Sequence, residues 1–132
     1  MRTGYLILGL VLAGCVNEPE PPLGKQLFAQ NCVGCHGTDG KGEGWVSSSL
    51  SVKPADLTTI SARNGGRFPL SDVLSSIDGF HRKTLPESTM PEWGFIFSDG
   101  PLEQIDTGDG VLTPVPEPLI ALARYLESIQ EL

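Results

Sequence analysis

Cys32-Val33-Gly34-Cys35-His36 is the stretch whose residue types and spacing carry chemistry. Two thiols two residues apart, followed at once by an imidazole, form the pattern of covalent haem attachment. Each thiol can make a thioether with one of the two vinyl groups on one haem edge. The next residue, His36, then lies under the ring, where its imidazole can bind the iron. Val33 and Gly34 are short and let the backbone pass close to a porphyrin. Three other chemistries share part of the pattern. A zinc site needs a second pair of ligands, and none is present. A redox dithiol expects a βαβ context, which is absent. A plain Cys32–Cys35 disulfide with no cofactor is the third. One attachment motif implies one haem.

A second residue could complete such a site. The chain has two methionines, Met1 and Met90. If Met1 leaves with an export signal, Met90 is the only thioether of the mature protein. It sits in a loop before Pro91, which fixes the backbone, with Trp93 close enough in sequence to cover a haem edge. A lone methionine is ordinarily core filler, but downstream of C-x-x-C-H it is the candidate sixth ligand. The only other histidine, His81, is the rival; its neighbours Arg82 and Lys83 point to a wet surface.

The totals frame the rest. With 132 residues, one domain is the default. A hydrophobic share of 39% and a charged share of 19% are those of a globular chain, and 16 Gly with 11 Pro predict many loops. The formal charge of −7 argues against nucleic-acid binding, which needs a basic face. It is compatible with a basic protein partner, and also with plain solubility. A monomer is the default.

Residues 1–14 read as an export signal: Arg2, then a short apolar run, Tyr5 to Leu12. The run is too short to span a bilayer. It ends in Leu12-Ala13-Gly14-Cys15, which resembles the bacterial lipoprotein box, so Cys15 is the expected lipidation site and mature N-terminus. The competing reading is an ordinary signal peptide with a chance cysteine. Residues 15–22 are then the lipidated cysteine and a stiff Pro-rich tether, and 23–132 the folded domain. All three cysteines have a role in this reading, with none left for a disulfide.

The elements that position the motif follow from pattern. Residues 23–31 predict a helix, with Leu23, Gly24, Leu27 and Phe28 on one face. Gly24 costs helix propensity, which points either to another backbone packed against it or to a glycine simply tolerated near a helix start. Residues 37–54 predict a Gly/Ser-rich loop, with the Pro54 carbonyl placed against the His36 ring N–H, or Pro54 as a simple turn residue. Asp56 caps a helix expected over 57–64, ending at Gly65-Gly66. Ser71 caps one over 72–78, ending at Gly79, with Val73, Leu74 and Ile77 inward. Arg63 and Arg67 flank the turn between them, where either could meet a haem propionate or simply face solvent. Residues 98–110 carry Asp99, Glu103, Asp106 and Asp109 with no base, and predict a solvated acidic loop, with a docking surface as the alternative. Residues 117–130 predict the last helix, with Leu119, Leu122, Ala123, Leu126 and Ile129 on one face.

Taken together, residues 23–129 resemble class I cytochromes c, the small His/Met monohaem electron carriers. Cys32, Cys35 and His36 match that family's haem motif, and Met90-Pro91 its axial methionine loop. Gly24 with Phe28 matches its G-x-x-x-F, and Leu122 with Tyr125 its L-x-x-aromatic on the last helix. The resemblance implies an all-α cytochrome c fold: four to five short helices wrapped round one covalent haem c, with the first and last helices crossing at Gly24. It implies axial ligation by His36 and Met90 and electron transfer between redox protein partners, with no enzymatic activity. Together with the lipoprotein box it places the domain on the periplasmic side of a bacterial membrane. The departure is the long segment between Met90 and the last helix, which bears on partner choice. A haem-based ligand-binding or sensing protein, with a weak sixth ligand, is the alternative function.

Overall fold

Leu23–Asn31 (α1) and Glu117–Ser128 (α5) form the crossing on which the other elements are assembled. The computed structural model describes residues 20–80, 89–108 and 110–131. Pro22 enters α1 in extended backbone (φ −51°, ψ 145°), and its carbonyl accepts from Lys25 N–H at 3.0 Å. α1 buries Gly24 and Phe28. α5 carries Pro118 in its first turn, where a missing N–H costs no helix bond. It buries Leu119, Ile120, Leu122, Ala123 and Leu126.

The crossing at Gly24 has the expected cause and keeps Tyr125 of the two expected partners, with Ala121 in place of Leu122. A Cβ on Gly24 would fall on the carbonyl oxygen of Ala121 and lie 2.9 Å from the Tyr125 Cβ. Leu122, expected at the contact, turns into the core instead and is almost fully buried. Tyr125 also meets Phe28, with ring centroids 5.2 Å apart and planes tilted by 49°.

Val33–His36 (α2) is the single turn that carries the cysteine–histidine motif. A 3-10 turn over Leu57–Thr59 runs into Ile60–Arg63 (α3), in place of one continuous helix. Asp56 caps this pair as expected, accepting from Thr58 N–H at 2.8 Å and from the Thr58 hydroxyl at 2.6 Å. Leu70–Asp78 (α4) buries Val73, Leu74 and Ile77 and stops at Gly79, whose φ of 100° suits a glycine helix stop. Ser71 is not its cap. The helix starts two residues earlier, after Pro69, whose carbonyl accepts from Val73 N–H at 3.0 Å.

The all-α expectation fails at one place. Leu102–Asp106 (β1) and Leu112–Pro116 (β2) pair antiparallel, so part of the expected acidic loop is a hairpin. Its turn is built by Asp106, whose side chain accepts from Gly108 N–H at 2.8 Å and Gly110 N–H at 3.0 Å. A lone hairpin is marginal in water. This one is held by Val115 and Ile105, which reach the core, and by Glu103, which pairs bidentately with Arg124 on α5.

One core results, joining Phe28, Ile60, the inner faces of α4 and α5, Phe97 and Val115. No helix among the described residues is long and apolar enough to cross a membrane. The lipoprotein box with Cys15, and His81, lie outside the described residues.

Candidate functional site

The motif residues face a cavity of about 880 Å³. α1 supplies Phe28 and Asn31, the α2 turn supplies Cys35 and His36, and Cys32 stands between the two helices. The far wall is Pro54 and Ala55, then Ile60 of α3, Val73 and Ile77 of α4, and Leu122 and Leu126 of α5. Met90, Pro91 and Trp93 close the remaining side. The lining is mostly hydrocarbon, with a polar minority that includes Lys53, Arg63 and Asp72. This is the composition of a site for a large apolar ligand held by a few polar groups. Cys32, Cys35, His36 and Met90, four side chains singled out by sequence, thus line one space.

His36 is buried, and its Nδ1 lies 3.0 Å from the carbonyl oxygen of Ala55. A carbonyl can only accept, so Nδ1 carries the proton and Nε2 keeps its lone pair. Burial holds the imidazole below its usual pKa, against the opposing pull of the Ala55 bond. The ring is therefore neutral with a ligating nitrogen available. The orienting carbonyl belongs to Ala55 and not to Pro54, one residue from the expected position. Proline signals the turn in sequence, but the peptide plane that faces the ring is the next one.

The approach of that carbonyl depends on Gly42. Its N–H donates to the His36 carbonyl at 2.8 Å, and its φ is 80°. A Cβ there would fall on the Pro54 carbonyl oxygen and lie 3.2 Å from the Ala55 oxygen. Gly42 was not singled out by sequence; among the glycines of 37–44 only the fold distinguishes it. Gln130 was missed as well. Its amide donates to Leu57 O and Leu126 O, both at 2.7 Å, and accepts from Ser61 N–H at 2.8 Å. It thereby ties the end of α5 to the wall that follows Ala55.

The cysteines are free and unlinked. Burial, and secondarily the neighbouring Cys35, push the Cys32 thiol up to about 11, so it is an S–H at neutral pH. A catalytic dithiol or a zinc ligand calls for the opposite shift. Among the described residues no group of three or more His, Cys, Asp or Glu gathers as it would round a bare metal ion. Of the two arginines considered, Arg63 lines the cavity and its guanidinium donates to the Thr59 hydroxyl; Arg67 is not part of the lining.

A family model described as cytochrome c matches residues 22–94, more than half of the chain. The chain belongs to the cytochrome c family. No curated protein and no solved structure matches it. Membership makes the protein a haem-binding electron carrier with covalently bound c-type haem and its iron. The site of this cytochrome fits the group. Its cavity is of macrocycle size, two unlinked cysteines stand in the wall, and a neutral imidazole with a free lone pair stands beside them. The family match ends at Gly94, so the hairpin and α5 lie beyond it.

Proposed function

We propose that this cytochrome is a monohaem carrier of the class I type, with Cys32 and Cys35 as thioether anchors and His36 and Met90 as axial ligands. The observation that carries the reading is the meeting of His36 and Met90 on one cavity with both thiols. When bound, the haem supplies a one-electron couple between Fe(II) and Fe(III). The chain's part is to hold and tune that group. His36 presents Nε2 because Ala55 holds Nδ1. Met90 offers a neutral thioether, which favours the reduced state and raises the potential. Phe28, Ile77, Trp93 and Leu122 exclude water from the same space, which acts in the same direction. Were His36 and Met90 both to hold the iron, no position would be open to a substrate, which makes the protein a carrier and not an enzyme in this reading.

The proposed location is the periplasmic side of a bacterial membrane, held by acyl chains on Cys15 of Leu12-Ala13-Gly14-Cys15. The tether of residues 16–22 reaches roughly 20 Å if extended at about 3.1 Å per residue. The domain would then meet its partners on a surface and not in a volume.

Carbon monoxide added to the reduced holoprotein tests the ligation. The proposal predicts an unchanged spectrum. Binding at neutral pH would show an open or weakly held sixth position and favour a ligand-binding protein. Intact mass of the mature protein tests the anchor: an N-terminus other than Cys15, or Cys15 without acyl mass, contradicts it.

A further inference from the structure

The net charge of the chain is unevenly placed. Residues 84–123 hold Glu87, Glu92, Asp99, Glu103, Asp106, Asp109 and Glu117 and no Lys or Arg; elsewhere nine acids balance nine bases. The entire charge of −7 therefore falls in this segment, which includes the hairpin that lies beyond the family match.

Strand register sorts the hairpin side chains. Glu103↔Val115 and Ile105↔Thr113 share one face. That face lies on the protein: Val115 is buried, Ile105 packs on the core and Glu103 reaches Arg124. Leu102↔Pro116, Gln104↔Pro114 and Asp106↔Leu112 share the other. On it Leu102 is 59% exposed and Leu112 62%, and Val111 beside it is 61% exposed. The inner face of the hairpin packs on the core, and the outer leucines stand largely in solvent.

Strand addition along β2 is a poor explanation of them. Pro114 and Pro116 sit in the register pairs that lack ladder bonds, so the free edge of β2 offers no N–H at either position. The side-chain face is the surface that recognition can use. Its chemistry is apolar, in a segment of the chain whose only charged residues down to Ala123 are acids. A second copy would oppose acid to acid, and an anionic bilayer would be repelled in the same way. A protein with an apolar patch bordered by lysine and arginine complements it in both respects.

We propose that the outward face of the β1–β2 hairpin, centred on Leu102, Leu112 and Pro114, docks a basic redox partner. This rests on the carrier reading above. The test is stopped-flow electron exchange between holoprotein and membranes, and separately the soluble fraction, of the source cells. The wild type is compared with Leu102→Ser/Leu112→Ser. Wild-type exchange should slow as sodium chloride is raised. The variant should exchange about tenfold more slowly, the scale expected for losing two apolar contacts at an interface. Its midpoint potential and its reduction rate by ascorbate should equal those of the wild type, which shows that the haem and fold are intact. Exchange by the variant at the wild-type rate overturns the docking face and leaves the carrier reading standing. A rate that rises with salt overturns the basic partner. Hairpin amide shifts in NMR spectra on adding anionic vesicles would assign the face to lipid and also overturn it. A wild type that exchanges with neither fraction overturns the carrier reading itself, and the docking face with it.

Discussion

Nδ1 of His36 stands 3.0 Å from the carbonyl oxygen of Ala55, nineteen residues further along the chain. This bond fixes the tautomer and the plane of the imidazole, and it raises the basicity of Nε2. The Ala55 carbonyl can come so close because Gly42, on the intervening loop, has no side chain to hold it away.

Gly42→Ala should therefore act on the haem as well as on the fold. The added methyl meets the Pro54 and Ala55 carbonyls, and the φ of 80° is unfavourable for alanine by roughly 1–2 kcal/mol. A longer Nδ1–Ala55 bond weakens electron donation to the iron, so the midpoint potential should rise. Protein-film voltammetry reads this. A variant less stable but unchanged in potential would show that Gly42 serves the fold alone.

The Gly24 crossing gives a test of packing. Valine there would run into the Ala121 carbonyl and the Tyr125 side chain. Overpacking costs on the order of 1–3 kcal/mol, while valine is no worse than glycine in helix propensity. Urea unfolding of the holoprotein should show a lower midpoint for Gly24→Val. A midpoint at or above wild type would contradict the close crossing.

These two glycines mark how far the sequence could be read. The limits of α1, the inward residues of α4 and the stop at Gly79 were legible because apolar spacing and glycine punctuation agreed there. The four cavity side chains were legible because their chemistry is rare in this chain: three cysteines, two histidines, two methionines. The hairpin was not. Its β1 face toward the core is only Glu103 and Ile105, and β2 carries two prolines, which argue against a strand unless it lies at an edge. Ile120 was passed over because it lies beside the predicted stripe of α5, yet it is almost fully buried. The helix packs on α1, α4 and the hairpin, so its buried arc is wider than one stripe. The Ala55 carbonyl could not be found by residue type, because every residue has one.

Gln130→Ala should lower stability. It removes a side chain that satisfies Leu57 O and Ser61 N–H across the join between α5 and the cavity wall. Leaving such partners unmet costs about 1–3 kcal/mol. The thermal midpoint of the holoprotein should fall, and amide exchange at Ser61 should quicken. Unchanged exchange at Ser61 would contradict the tie.

Asp56 predicts part of the acid limb. The Thr58 hydroxyl, then its N–H, hold this carboxyl below its usual pKa, against slight burial. The contribution is therefore present above the unfolded-state value, about 3.9, and is lost as pH falls through the lower folded-state value. Asp56→Ala should cost about 1 kcal/mol at neutral pH as a lost cap. The gap from wild type should close at pH values below the folded-state pKa. Urea midpoints across that range check it; a gap that stays constant would mean the carboxylate charge is not involved.

The central proposal is that His36 and Met90, which line one cavity, would both hold the iron of one haem. The weak red charge-transfer band of sulfur-ligated ferric haem tests it most directly, compared between wild type and Met90→Ala. Wild type should show the band. The variant should lose it while the pyridine haemochrome spectrum shows the same covalent haem content. A band that survives in Met90→Ala, or that is missing from wild type, would contradict ligation by Met90 and with it the carrier assignment built on two filled axial positions.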